Sequence, residues 1–197
     1  MHTLYYAPGA ASFAVHWLLL ELNIPHTLEK LDFSSKQQKS PEYLALNPNG
    51  VVPTLVIDGK PLYEAAALLL HLADSRPEAG FAPPPGTLQR GAYYQWMLHL
   101  ANTLQPPFRL WWYPAEAAGE ANSEAAKAVA EAKIHAVFTQ LDAHLAGNGR
   151  VQEADRCEIA LQVSLRAAIS LSDTALPDGL KYPFAHDSRE IRLEGVC

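Results

Sequence analysis

The sequence has few cysteines and no long run of apolar residues. The chain of 197 residues contains two cysteines, Cys157 and Cys197, which lie far apart and form no CxxC pair. This spacing argues against a disulfide framework or a zinc ribbon and predicts a reducing, cytoplasmic compartment. No apolar stretch approaches the ~20 residues of a membrane-spanning helix. No basic segment followed by an apolar one opens the sequence, so we expect neither a membrane anchor nor a signal peptide.

Positive charge is also scarce. Lysine and arginine together number 15 against 21 acidic residues, which gives a formal net charge of -6. An acidic balance argues against nucleic acid and against an anionic membrane as the partner. Apolar residues make up 49% of the chain and charged residues 18%, a composition typical of a globular protein with a substantial core. Composition does not indicate which small molecule binds.

Strand and helix patterns alternate over the first 77 residues. Turn residues separate them at residues 7–9, at residues 47–50 and at Asp58-Gly59-Lys60, which is typical of a hairpin. Ser12 can cap the first helix. The predicted elements are a strand at 3–6, a helix at 12–22, a strand at 26–32, a short helix at 41–46, a hairpin of 54–57 and 61–63, and a helix at 64–74. This β-α-β-α-β-β-α order predicts a parallel first pair of strands joined by a right-handed helical crossover.

The rest of the chain predicts helices alone. Residues 75–86 contain four prolines and two glycines, so a linker is predicted at 78–86. Thr87 can cap the first helix after it, and Pro106-Pro107 ends that helix. The predicted helices lie at 87–105, 123–146, with Ser123 as cap, and 153–171. Residues 172–197 show weak periodicity and predict no element. We therefore predict one domain at 1–77 and an all-helical one at 87–197.

Four segments resemble the cytosolic glutathione S-transferase family, and bacterial beta-type members in particular. Residues 5–12 (YYAPGAAS) resemble the opening strand and turn of those members. Residues 47–55 (NPNGVVPTL) resemble the NPxGxVPxL segment, and residues 64–68 (EAAAL) resemble the ESxAI segment. Residues 145–155 resemble the LxG…RFSxAD stretch loosely. The first three matches are dense and occur in the family's order.

The resemblance implies a fold, a reaction and a partner. The fold is a thioredoxin-like domain that binds glutathione, followed by a helical domain. The reaction is conjugation of the glutathione thiolate to hydrophobic electrophiles, as in cytoplasmic detoxification enzymes that work as homodimers. Two other functions stay open: a glutathione-dependent thiol reductase, and a non-catalytic domain that binds glutathione or a partner. The sequence does not name the electrophile.

The resemblance implies that Ser12, or else Tyr6, meets the glutathione sulfur. A free cysteine thiol has a pKa of ~8.5, and lowering it by two units needs about 2.7 kcal/mol. A helix N-terminus and one hydrogen bond together supply about 1–3 kcal/mol. A cysteine of beta-type relatives aligns with Ala11, so we expect a hydrogen-bonded thiolate here rather than a mixed disulfide. A plain helix cap is the alternative role for Ser12.

Five further residues are expected to bind glutathione. Only about 5–6% of X-Pro bonds are cis, but the family's proline at Pro53 is cis, so that the backbone of Val52 pairs with the cysteine of glutathione. Glu64 accepts the γ-glutamyl ammonium in the family. Ala65 replaces the serine that binds the same head group, which costs about 1 kcal/mol for one hydrogen bond. Lys36 stands where a basic residue meets the glycine carboxylate, with a solvated surface lysine as the alternative.

The helical half offers aromatic residues and little polar chemistry. The resemblance implies that the region around Pro106-Pro107 faces the electrophile, and packing in the core is the alternative. The aromatic residues there are Trp96, Phe108, Trp111, Trp112 and Tyr113. Leu98 and Gln105 stand where beta-type relatives carry an asparagine and a histidine near the sulfur. The histidines show no spacing typical of a metal site, so no metal is expected.

Overall fold

A four-stranded sheet with helices packed on it forms the first part of the chain. In the computed structural model, which describes residues 1–147, the elements follow the predicted β-α-β-α-β-β-α order. They are β1 (His2–Tyr6), α1 (Ser12–Glu21), β2 (His26–Lys30), α2 (Pro41–Leu44), β3 (Thr54–Ile57), β4 (Lys60–Tyr63) and α3 (Ala65–Ser75). The prediction of a thioredoxin-like fold is therefore confirmed.

The sheet has the strand order β2-β1-β3-β4. β1 runs parallel to β2, as the helical crossover between them requires, and antiparallel to β3. β3 and β4 form the predicted hairpin. Its turn holds Asp58 at φ 48° and Gly59 at φ 81°, and positive φ at both central residues matches the twist of the flanking strands.

Leucine side chains fill the space between the sheet and the helices. Leu4 and Leu55, on β1 and β3, are fully buried, as are Leu18 on α1 and Leu69 on α3. α1 and α3 pack against each other. Full burial of one leucine contributes about 1.5–3 kcal/mol. These side chains belong to one buried cluster that packs α1 and α3 against the sheet.

Within residues 1–147, four α-helices follow the linker segment. They are α4 (Leu88–Thr103), α5 (Gln105–Trp112), α6 (Pro114–Ala118) and α7 (Ser123–Gly147). The hydroxyl of Thr87 accepts a hydrogen bond from the backbone N–H of Arg90 at 3.2 Å, which confirms the predicted cap. No helix among residues 1–147 is both long enough and apolar enough to span a bilayer.

The prediction of one helix over residues 87–105 is wrong at its end. α4 ends at Thr103, and Pro106 and Pro107 lie in the first turn of α5 rather than in a break. Proline fits the first turn of a helix because the N–H that it lacks has no partner within the helix there. α6 was also missed. The helix predicted at 153–171, the segment 172–197 and both cysteines lie outside the described residues.

The linker segment is held against both halves by buried side chains. Arg90 is 3% exposed; its Nη1 donates to the Pro83 carbonyl at 2.8 Å, and its Nη2 forms an ion pair with Asp74 on α3. Phe81 is buried, and its ring meets Trp17 of α1 edge-on with centroids 6.2 Å apart. The segment therefore connects α3 to α4 through fixed contacts.

Candidate functional site

The register of the sheet brings three of the predicted site residues to one edge. Tyr5 pairs with Thr54, and Thr54 pairs with Tyr63. The next residue outward on each strand is therefore Tyr6, Pro53 and Glu64 in turn. α1 and α3 start at this same edge, since each follows closely on a strand that ends there. The edge thus combines residues from three strands with the N-termini of two helices.

Ser12 follows the turn between β1 and α1 and is completely buried. Its hydroxyl donates to the carbonyl of Ala7 at 3.3 Å and lies 3.4 Å from the Ala7 nitrogen, whose N–H it accepts. Ser12 is the first residue of α1, and the residue before it, Ala11, makes no side-chain cap. The prediction that Ser12 caps the helix is therefore wrong, because the hydroxyl closes the turn onto Ala7 instead.

Tyr6 ends β1 and is partly exposed. Its carbonyl accepts a hydrogen bond from the N–H of Leu31 at 2.9 Å, which ties it to the loop after β2. Its ring packs against the main core. Tyr6 therefore has exposed surface at the site, whereas the hydroxyl of Ser12 is enclosed. The contact of either residue with sulfur stays a prediction.

The peptide bond between Val52 and Pro53 is cis, as the family resemblance predicted. Pro53 is buried and Val52 is partly exposed. Among residues 1–147, neither the N–H nor the carbonyl of Val52 has a hydrogen-bond partner. Both backbone groups that the resemblance assigns to pairing with a peptide ligand are thus unoccupied by the protein itself.

A buried polar network lies directly behind this segment. The Tyr43 hydroxyl donates to the Val51 carbonyl at 2.6 Å, and Asn47 Nδ2 donates to the same oxygen at 2.9 Å. The Thr54 hydroxyl lies 2.7 Å from the Tyr43 oxygen and 3.1 Å from Asn47 Nδ2. Asn47 and Thr54 are fully buried, and burial raises the pKa of the Tyr43 phenol. In the sequence, Asn47 is recognisable only as a turn residue, and no pattern marks Tyr43 or Thr54 as part of the site.

Gly50 lets the turn before Val51 approach a neighbouring loop. Its φ is +59°, and a Cβ placed there would lie 2.7 Å from Lys39 Nζ and 2.8 Å from the Gln38 carbonyl. Lys39 Nζ donates to the carbonyl of Asn49 at 3.1 Å. Only glycine accepts this conformation and this close approach without strain.

Glu64 occupies an uncommon backbone conformation at the start of α3. Its φ is 76° and its ψ is 109°, and positive φ is rare for a residue with a long side chain. Glu64 is exposed, and its side chain makes no cap bond. Such conformations cluster at ligand sites. Ala65, the first residue of α3, is 4% exposed.

Lys36 lies in the loop after β2, the strand that runs parallel to β1 and ends at Lys30 beside Tyr6. It has φ 57° and an exposed side chain, and no hydrogen bond or ion pair links that side chain to another residue of the described chain. The structure is therefore compatible with both interpretations of this residue, a ligand for a carboxylate and a solvated lysine.

The aromatic residues of the helical half divide between core and surface. Phe108 and Trp111 are buried, and Trp111 Nε1 donates to Glu131 at 2.9 Å. Trp112 and Tyr113 are exposed, as is Leu98. Gln105 Nε2 is buried without a hydrogen-bond partner in the described part of the chain. No cluster of His, Cys, Asp or Glu that could hold a metal ion occurs within residues 1–147.

Comparison with protein families and curated proteins gives a consistent result. Residues 10–75 match the family model described as the glutathione S-transferase N-terminal domain. Glutathione S-transferase GST-4.5 of Xanthomonas campestris pv. campestris is 34% identical over 145 residues, which cover 73% of this chain and 70% of that protein.

Comparison with solved structures extends the likeness to the helical half. A glutathione transferase from Methylococcus capsulatus has a TM-score of 0.72 and 30% identity, over 86% of this chain and 81% of its own. A glutathione transferase homolog from Sulfitobacter, solved with bound glutathione, has a TM-score of 0.73 and 26% identity, over 85% of this chain and 84% of its own.

Proposed function

Because this chain belongs to the glutathione S-transferase family, we propose that it binds glutathione at the sheet edge and conjugates the thiolate to hydrophobic electrophiles. One observation carries the proposal: the register places Tyr6, Pro53 and Glu64 side by side where α1 and α3 begin. In a tripeptide that lies along the ends of these strands, the γ-glutamyl group is next to the start of α3 and the cysteine is next to the start of α1. We expect the protein in the cytoplasm, where glutathione is kept reduced.

The three parts of glutathione meet three parts of the edge. The γ-glutamyl ammonium pairs with Glu64, and the carboxylate of the same head group meets the Ala65 N–H at the start of α3, where the helix dipole favours an anion. The cysteine pairs with the free N–H and carbonyl of Val52 as an added strand does. Lys36 takes the glycine carboxylate.

The chemistry follows from stabilising the thiolate at the turn between β1 and α1. The thiol proton leaves to solvent, and the positive end of α1 together with a donor from Ser12 or Tyr6 favours the anion. The sulfur then forms a bond to the electrophilic carbon, whose leaving group departs with its bonding pair. Holding both reactants in this geometry supplies much of the rate enhancement. Ala11 provides no thiol, so the protein itself forms no mixed disulfide at that position.

We also propose that two copies of the chain assemble as a homodimer. β4 is an edge strand and exposes Leu62 and Tyr63. Tyr94 and Leu98 on α4 are exposed as well. Apolar residues on an open strand edge and on an exposed helix face are typical of interaction surfaces. A mass measurement in solution tests this, and a monomer at micromolar concentration would contradict it.

Calorimetric titration with glutathione, run beside a conjugation assay with a chloronitrobenzene, tests the proposed reaction. We expect binding at or below millimolar glutathione and turnover of the electrophile. Glu64→Gln is expected to weaken binding about tenfold, since a hydrogen bond to a charged group is worth about 1.5–3 kcal/mol. Glu42→Gln is the control, because Glu42 is an exposed acid near the start of α2, as Glu64 is an exposed acid at the start of α3.

The outcomes separate the remaining hypotheses. Binding without conjugation would favour a non-catalytic glutathione-binding domain. Reduction of mixed disulfides without conjugation would favour the thiol reductase. The absence of binding at millimolar glutathione would overturn both the proposed reaction and the proposed ligand.

A further inference from the structure

We infer that Tyr43 and Asn47 are positioning residues for glutathione: by fixing the Val51 carbonyl, they set the direction in which the Val52 N–H meets the ligand. Neither side chain touches the site edge itself, and both are buried behind it. The inference deepens the proposed function and rests on it. The resemblance and the motifs assign no role to Tyr43, and to Asn47 only a place in the turn at residues 47–50.

The network has one consistent arrangement of hydrogen atoms. The Val51 carbonyl can only accept, so the single Tyr43 hydroxyl hydrogen goes to it. The Thr54 hydroxyl then donates to the Tyr43 oxygen. The two Asn47 Nδ2 hydrogens go to Val51 O and Thr54 Oγ1, while Asn47 Oδ1 accepts from the N–H of Asn49 at 3.1 Å. Every donor in the network has an acceptor, and a fully satisfied buried network specifies one conformation.

This arrangement holds the peptide plane between Val51 and Val52. The carbonyl of Val51 and the N–H of Val52 belong to one planar peptide unit, and the bond is trans. In a trans peptide the two groups point in opposite directions. Since Tyr43 and Asn47 hold the oxygen on the buried side, the N–H of Val52 is presented on the other side. That N–H has no partner among residues 1–147.

Rotation of this peptide would break two buried hydrogen bonds at once. Both bonds go to one carbonyl oxygen, which accepts at 2.6 Å and 2.9 Å and so uses both of its lone pairs. A buried donor left without its acceptor is strongly unfavourable. The Gly50 N–H also donates to the Asn47 carbonyl at 2.9 Å, so the preceding turn is fixed to the same residue. The Val52 N–H is therefore set in place before the ligand arrives.

Tyr43→Phe tests the inference, with Thr54→Val as the matched control. Both variants remove a hydroxyl from the same buried network, but only Tyr43→Phe removes a bond to the Val51 carbonyl. We expect Tyr43→Phe to raise the dissociation constant and KM for glutathione about fivefold, the equivalent of one hydrogen bond, with kcat within about twofold. Thr54→Val is expected to change both by less than about twofold. Equal effects of the two variants, or no effect of Tyr43→Phe, would overturn the inference.

A glutathione analogue whose cysteine carbonyl is reduced to a methylene gives the second measurement. It cannot accept a hydrogen bond from the Val52 N–H, so wild type and Tyr43→Phe are expected to bind it equally. A persistent fivefold difference would show that Tyr43 acts by another route and would overturn the inference. Urea unfolding of each variant verifies that the compared proteins are folded.

The wild-type protein alone provides a measurement that needs no variant to fold. Glutathione is expected to slow hydrogen exchange of the Val52 amide and to shift its NMR signal downfield. An unaltered Val52 amide in a saturated complex would overturn the inference while leaving the proposed function intact. Failure of the wild type to bind glutathione at all would instead overturn the proposed function, and this inference with it.

Discussion

Ser12 and Asn47 are polar side chains with no exposed surface, and their hydrogen bonds hold backbone groups in place around the site. Ser12 closes the turn between β1 and α1, and Asn47 anchors the segment before Pro53. A buried polar group stabilises a fold only when its partners are present, and removing one partner leaves the other unsatisfied. Substitution of Asn47 therefore changes the shape of the site without removing a ligand contact, whereas Ser12 is also one of the two proposed donors to the glutathione sulfur.

Ser12→Ala is expected to destabilise the protein and to weaken glutathione binding together. Loss of the Ser12 hydroxyl leaves the N–H of the buried Ala7 without its acceptor. This is expected to lower the free energy of unfolding by about 1–2 kcal/mol. Urea unfolding measures this loss. Ser123→Ala is the control, since Ser123 also starts a helix and donates to a carbonyl, but at an exposed place; it should cost less than about 0.5 kcal/mol. Equal losses would contradict the prediction.

Gly50→Ala is expected to be more damaging than the same change at Gly59. Both glycines have positive φ, 59° and 81°, so each substitution carries a backbone cost of about 1–2 kcal/mol. At Gly59 nothing lies within 4 Å of the added carbon, whereas at Gly50 a backbone carbonyl lies at 2.8 Å. The difference between the two free energies of unfolding therefore isolates the close approach, and we expect it to exceed about 1 kcal/mol. A smaller loss at Gly50 than at Gly59 would contradict this explanation.

Site features that belong to a short sequence motif could be predicted from the sequence, whereas hydrogen bonds that form only through tertiary packing could not. The cis bond before Pro53 was predicted from the resemblance of residues 47–55 to the family's segment, since an X-Pro bond by itself is usually trans. The enclosure of Ser12 could not be predicted, because its hydroxyl bonds to the backbone N–H and carbonyl of Ala7. Every residue type carries a backbone carbonyl, so the sequence does not mark this partner. Nor could the network of Tyr43 and Thr54, since tertiary packing brings α2 against the start of β3. Sequence patterns report types of residue, whereas these bonds depend on distances across the fold.

At the scale of elements, alternation and turn chemistry predicted the sheet, and helix length misled the prediction of the helical half. The hairpin at Asp58-Gly59 and the cap at Thr87 were predicted and are present. Pro106 and Pro107 were interpreted as a stop, but they lie in the first turn of α5. A proline both ends one helix and suits the start of the next. From the sequence alone, the two prolines could either begin a loop or begin a second helix directly after the first.

The corner between α1 and β2 carries a pair of histidines that makes stability depend on pH. The rings of His16 and His26 lie 5.2 Å apart. Burial, followed by the charge of His26, lowers the pKa of His16 below its ordinary 6.5. The unfolded chain therefore takes up a proton at a higher pH than the folded chain does. The contribution of His16 to stability is present above about pH 6.5 and is lost as the pH falls through its folded pKa.

Urea unfolding at pH 7.5 and at pH 5.5 tests this dependence. The urea concentration at the unfolding midpoint is expected to fall more between pH 7.5 and pH 5.5 for wild type than for His16→Gln. The exposed His71 provides the control variant His71→Gln, whose loss should equal that of wild type. A His16→Gln variant that loses as much stability as wild type on acidification would contradict the assignment.

At the scale of the whole molecule, Arg90 joins the sheet-containing part to the helices. Its side chain is 4% exposed and that of its partner Asp74 is 47% exposed, so the two ends of the ion pair differ in their contact with water. The guanidinium also approaches the ring of Tyr94 to 4.7 Å. Proline content predicted a linker over residues 78–86, but the composition of a linker does not reveal which buried side chain holds it.

Asp74→Asn is expected to destabilise the protein by about 2 kcal/mol or more, because it leaves a buried guanidinium without its counter-charge. The ion pair of Arg109 and Glu116 provides the control, since both of its side chains are about 60% exposed. Glu116→Gln should cost less than about 1 kcal/mol, the usual range for surface pairs. Chemical denaturation of both variants measures the difference. Equal losses would show that burial of Arg90 does not strengthen its dependence on Asp74.

The free N–H and carbonyl of Val52 have a consequence for directed evolution of this protein. Every amino acid except proline carries both groups, so a library randomised at residue 52 keeps them in nearly all of its members. A library randomised at residues 43 and 47 instead changes the hydrogen bonds to the Val51 carbonyl that orient the Val52 N–H. Selection for glutathione affinity should therefore tolerate diversity at residue 52, which is proposed to face the ligand, and recover few sequences at residues 43 and 47, which are buried behind it.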